Sequence, residues 1–115
     1  MTYDVGYILG HQDQYEELRY SLRSLRNFLP GVRNVYIAGA PPPDWAKNLH
    51  HIPVEQAYVE PDMAKRTPEW WHNRKLNMRR NLLHICNAPE VSSRFLYMND
   101  DFMLVKPTDA TPPRS

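Results

Sequence analysis

Arg94-Phe95-Leu96-Tyr97-Met98-Asn99-Asp100-Asp101-Phe102-Met103-Leu104-Val105 is the stretch on which the fold of this chain turns. Phe95 to Met98 is apolar enough for a buried strand, and residues 102–105 read as a second one. Between them stand an amide and two adjacent carboxylates, which cannot lie unpaired in a core. The chain therefore surfaces at Asn99, at the edge of a sheet. Two readings of the polar triplet stay open. Asn and Asp form turns, so a polar β-turn is one. Two carboxylates and an amide oxygen are also the hard-oxygen set that Mg²⁺ or Mn²⁺ takes, with substrate phosphates completing the shell.

Working back from that stretch, residues 73–87 carry helical spacing, with Leu76, Leu83 and Cys86 on one row and Leu82 and Ile85 on the next. Cys86 reads as a small core residue. Residues 58–72 have no period and contain Pro61, Pro68 and the pair Trp70-Trp71. A connection that long in a compact domain is expected to be a lid over a bound ligand. The tryptophans either stack on a base or sugar or plug the sheet edge. A short strand over 51–54 belongs at an edge, because Pro53 cannot donate a ladder bond.

At the start of the chain, residues 3–9 read as a strand ending at Leu9-Gly10. Residues 15–29 read as a helix with Leu18, Leu22, Leu25 and Leu29 on one face. Asp13 is its expected N-cap, and Pro30-Gly31 ends it. Asn34 to Ala38 is the next strand. The order β-α-β-β-loop-α-β-β implies an α/β fold with a mostly parallel sheet flanked by helices. Ligands in such sheets sit at the C-terminal strand ends, which puts Gly10 to Asp13, Gly39-Ala40 and Asn99 to Asp101 on one rim.

Composition narrows the classes. The chain has 115 residues, 42% of them hydrophobic, enough for one domain with a core. We expect that domain over 1–107, with a Pro-rich tail over 108–115. A formal net charge of +1 gives no global pull toward nucleic acid or anionic membrane. One cysteine excludes an internal disulfide and a cysteine-based zinc site. No signal peptide or spanning segment is evident, so the default location is the cytoplasm. There is no G-x-x-x-x-G-K, G-x-G-x-x-G, G-x-S-x-G or His-x-x-x-His pattern, which leaves classical nucleotide loops, serine hydrolases and zinc hydrolases unsupported.

Two cationic stripes remain. Arg19, Arg23 and Arg26 share one side of the first helix, and Lys75 and Arg79 lie one turn apart on the second. Each is either a phosphate clamp or a solvated face balanced by neighbouring acids.

Leu18-Arg19-Tyr20-Ser21-Leu22-Arg23-Ser24-Leu25, then Val32-Arg33-Asn34-Val35-Tyr36-Ile37, then Pro43 with Trp45, resembles the core of the Stealth family. Arg94 to Phe102 resembles the same family's later Phe-Leu-Tyr-x-Asn-Asp-Asp-Phe block. The family's Phe-Asn-Ser block is replaced here by Trp71 to Asn77, which leaves glycosyl and glycosyl-1-phosphate transfer both open. The resemblance implies a shortened GT-A-like domain and a metal-dependent transferase using a nucleotide-diphosphate sugar. The acceptor it implies is a glycan ahead of nucleic acid. Asp100 and Asp101 would hold Mg²⁺ or Mn²⁺, with Asp13 a further catalytic residue. Leu9, Gly10, Arg19, Arg23, Lys75, Arg79 and Asn99 would bind the nucleotide sugar. The alternative is a shortened, non-catalytic nucleotide-sugar-binding remnant without an acceptor half.

Overall fold

The computed structural model describes residues 2–9, 15–54, 67–99 and 102–107. Its elements are β1 (Tyr3–Leu9), α1 (Glu16–Phe28), β2 (Val32–Gly39), β3 (His50–Pro53), α2 (Pro68–Asn87) and β4 (Phe95–Met98). The strands form one sheet in the order β3-β2-β1-β4, and every pairing is parallel. The fold is thus α/β, with a parallel sheet between helices, as the element order implies. Pro53 ends the edge strand, where its missing N–H costs no ladder bond.

Strand alternation divides the core into two layers. On one face Tyr3, Val5, Tyr7 and Leu9 of β1, with Ile37 and Met98, pack against Leu18 and Leu25 of α1 and against Leu29 at its C-terminal cap. On the other face Ala38, Val54 and Ile85 of α2 pack together, with Ile8, Ile52 and Phe95 against them. Gly6 lets α2 approach β1: a Cβ there would lie 3.3 Å from Ile85 Cδ1 and from the Phe95 ring. The Tyr7 hydroxyl shares a 2.7 Å hydrogen bond with Ser21 Oγ and touches Met98 Sδ at 4.0 Å. One buried side chain thereby ties β1 to α1 and β4.

No helix joins β2 to β3. The connection folds back over the α1 face, and Asn48 turns it through φ 60. Asn tolerates that left-handed region better than most residues. Leu49 then packs into the α1 layer.

Several expectations are corrected. The run 102–105 forms no strand. Phe102, Met103 and Val105 are exposed, and only Leu104 packs on the core, held by its N–H donating to Ser24 Oγ at 3.0 Å. Apolar content alone cannot make a strand where no neighbouring edge pairs with it. The second helix begins at Pro68 rather than at 73. Thr67 Oγ1 accepts from the Trp70 N–H at 3.2 Å, and Pro68 opens the helix, where its missing N–H costs nothing. The last part of the expected lid is therefore helix, and residues 58–66 lie outside the described residues. Cys86 is exposed, as are Leu76 and Leu83. The face that α2 buries is Trp70, Asn77, Asn81 and Ile85. The tail over 108–115 and the Asp13 cap also lie outside the described residues. No described helix is long and apolar enough to cross a membrane.

Candidate functional site

β1 to β2 to β3 steps across the sheet in one direction. β4 then returns to the other side of β1. The strand order reverses between β1 and β4, and the crevice beyond their C-terminal ends is where open α/β sheets take ligands. Leu9 ends β1 there, and Asn99 follows β4 immediately. The Leu9 side chain is fully buried, so only its backbone reaches the rim, where its carbonyl accepts from the Ala40 N–H at 2.9 Å.

Asn99 is oriented from two sides. The Tyr97 hydroxyl donates to its Oδ1 at 2.6 Å, and the Phe102 N–H donates to its carbonyl at 3.1 Å. The second bond has the i to i+3 spacing of a β-turn. Asp100 and Asp101, the pair it brackets, lie outside the described residues, as do Gly10, His11 and Asp13. Among the described residues no three His, Cys, Asp or Glu side chains gather closely enough to hold a metal ion.

The cations expected on one diphosphate fall on opposite faces of the sheet. Lys75 and Arg79 are exposed on α2. Ile85 sits level with Gly6. Ten residues earlier in an antiparallel helix lies about 15 Å toward the rim, whereas Gly6 to Leu9 climbs only about 10 Å. Lys75 therefore overhangs the rim, with Arg79 close to its level. Nearby, Trp70 is buried edge-on against Trp71, ring centroids 4.7 Å apart. Trp71 is exposed, and the Arg74 guanidinium lies 5.8 Å from its ring centre. Trp70 is thus a buried residue at the start of α2, and Trp71 is the open one of the pair.

Arg19 and Arg23 line a different space, a groove of about 870 Å³ between α1 and residues 45–49, floored by Val32 and Val35 of β2. Arg26, Trp45 and Lys47 complete its wall. The Arg19 guanidinium lies 4.8 Å from the Trp45 ring centre, within cation–π reach. Trp45 and Lys47 did not emerge from sequence reasoning as site residues. Trp45 was signalled by its place after the Pro41-Pro42-Pro43 run, within the stretch that resembles the family core, and Lys47 by nothing in the sequence.

At the far end of the sheet Asp4 is fully buried. Arg33 donates to both its carboxylate oxygens, at 2.9 and 2.7 Å, and the Ser92 N–H adds a third bond at 2.7 Å. The Arg33 bonds hold the Asp4 carboxyl below its ordinary value against the upward push of burial. This cluster lies at the N-terminal strand ends, opposite the Leu9 and Asn99 rim.

The family profile described as Stealth protein CR2, conserved region 2, matches residues 11–112. An exopolysaccharide phosphotransferase, CpsY, of Mycobacterium tuberculosis is 32% identical over 113 residues, covering 91% of this chain and 20% of the relative. A capsular polysaccharide phosphotransferase, LcbA, of Neisseria meningitidis is 30% identical over 94 residues, covering 81% of this chain and 24% of the relative. An exopolysaccharide phosphotransferase of Streptomyces coelicolor is 35% identical over 98 residues, covering 81% and 15%. The chain thus spans about a quarter or less of these relatives. The match runs through both helices, through β2, β3 and β4, and through the Asn-Asp-Asp stretch, which takes in the blocks that carry the resemblance noted in the sequence: the chain belongs to the Stealth family.

Proposed function

We propose that this chain carries the donor-binding core of a sugar-phosphate transferase that uses a nucleotide-diphosphate sugar. The observation behind this reading is the strand order, which reverses between β1 and β4 and brings Asn99 to the crevice where such sheets take ligands. The relatives' names, polysaccharide phosphotransferases, supply the reaction class and suggest a glycan as acceptor.

The donor set suits a hard divalent cation. Asp100 and Asp101 supply carboxylates, and Asn99 supplies an amide oxygen already steered by Tyr97. Mg²⁺ or Mn²⁺ bound there would neutralise charge on the diphosphate. Lys75 and Arg79 would meet the diphosphate from the α2 side, as point charge and fork respectively. Arg19, in the first turn of α1, would approach the same rim from the opposite face, with Arg23 one turn behind it. The Leu9 and Gly10 backbone would border the nucleotide. Asp13 would be the base that takes the acceptor's proton.

A thermal-shift titration with nucleotide sugars, with and without Mn²⁺, tests this reading. Stabilisation of about 2.7 kcal/mol is expected at a ligand concentration 100-fold over its dissociation constant. Stabilisation that is absent, or that ignores the metal, removes the metal-assisted donor site.

A further inference from the structure

The groove beside α1 shows more than the donor reading uses. Arg19, Arg23 and Arg26 recur at four and three positions along one helix side, and Lys47 faces them from the β2–β3 connection. Among the described residues no carboxylate lines the space. None of these four cations has an ion pair among the described residues, where Arg33 with Asp4 makes the salt bridge. Like charges one turn apart destabilise a helix, and no ion pair among the described residues offsets that repulsion. Beneath the charges Leu22, Val32 and Val35 form a half-buried apolar floor, and Trp45 keeps 37% of its surface open at the side. Cations over an apolar floor with an open indole suit a ligand that is anionic at some atoms and flat and C–H-rich at others. A sugar bearing a phosphate has that chemistry. The volume lies within the range of small-molecule sites.

We infer that this groove binds a phosphate-bearing saccharide, with Arg26 and Lys47 on the phosphate and Trp45 against the sugar ring. The identification of that saccharide as the acceptor glycan rests on the transferase reading above. Geometry favours it. Ser21 is level with Tyr7 through their hydrogen bond, so Arg19 lies near the rim and Arg26 about 10 Å further down the sheet's flank. The groove therefore opens toward the rim. β2, which floors it, stands two strand spacings, about 10 Å, from β4, and Val35 lies about 10 Å below the level of Asn99. An anionic glycan lying along the groove would present its end to the donor crevice.

The test follows the indole N–H resonance of Trp45, assigned by its loss in Trp45→Phe, during titration with glucose 1-phosphate, glucose and inorganic phosphate in EDTA. Glucose 1-phosphate should shift the resonance saturably and bind about tenfold more tightly than either component, and added salt should weaken it. Arg26→Gln with Lys47→Gln should weaken it about tenfold while the Trp70 resonance, in the core, stays put. Lys47→Gln alone, in an exposed loop, serves if the double variant does not fold. A silent Trp45 resonance, equal affinity for phosphate and the sugar phosphate, or binding unchanged by the variants would overturn the proposal. UDP-glucose with Mn²⁺, titrated separately, keeps the readings apart. A responding groove without donor binding leaves the saccharide site standing and sinks the transferase, and the reverse result sinks the groove.

Discussion

Arg33 grips both carboxylate oxygens of Asp4, at 2.9 and 2.7 Å, across the N-terminal ends of β2 and β1. Arg33 also donates to the Glu90 carbonyl at 3.0 Å, which ties in the segment entering β4. Asp4 is fully buried while the Arg33 side chain is 47% exposed. The folded carboxyl titrates below the ordinary value of 3.8. Its stabilisation is therefore complete above about pH 4 and is lost as pH falls through the lower, folded value. Asp4→Asn should cost about 2–3 kcal/mol at pH 7, as loss of hydrogen bonds to a charged group does. It should also lose less further stability than wild type below pH 4. Urea melts across pH 2–7 check this, and parallel pH profiles for the two proteins would contradict it.

Asp101→Ala should abolish metal-dependent binding of a nucleotide sugar and leave the melting temperature nearly unchanged. Calorimetric titration with UDP-glucose and Mn²⁺ measures the first and thermal unfolding the second. Wild-type binding in the variant would end the metal assignment. A large loss of stability would favour a purely structural turn at the Asn99–Phe102 bond.

Leu18 is fully buried, whereas Leu22 is only partly so because it borders the groove. Leu18→Ala should cost about 2–5 kcal/mol. Leu22→Ala should cost roughly half as much, in proportion to the apolar area it removes from water. Equal losses in urea denaturation would mean that the groove closes over Leu22 in solution.

Gly6→Ala adds a methyl 3.3 Å from Ile85 Cδ1 and the Phe95 ring, and Ile85 is fully buried. Overpacking of this kind costs about 1–3 kcal/mol. Ile85→Val in the same chain should recover part of the loss. If the double variant is no more stable than Gly6→Ala alone, the close approach of α2 to β1 is not the cause.

The sequence was legible where periodicity and burial agree. The leucines of α1 recur with one face, and all four join the α1 layer of the core. Pro53 marked an edge strand, and the step from Met98 to Asn99 marked a strand end. It misled where tertiary contacts outrank hydropathy. α2 buries Asn77 and Asn81 and leaves Leu76 and Leu83 exposed, an inversion that no hydrophobic pattern could reveal. Pro68 lay in the stretch expected to be a lid, because Pro is both a helix stopper and a helix starter and only the Thr67 cap shows which role it has. The groove was half visible. Its arginines share a helix, but Trp45 and Lys47 reach them through a folded-back connection that carries no period.

The contact between Tyr7 and Met98 joins residues 91 positions apart. β1 meets β2 through one short crossover, so that pair can form while β4 is still searching. Contacts so distant along the chain close slowly, because the loop entropy must be overcome before they contribute. β4 is accordingly expected to dock last and to detach first. Asn99 hangs from its end, so the crevice would exist only in molecules that have completed the slowest step of folding. Ligand bound there would then act as a latch on β4, slowing its release more than it speeds its arrival.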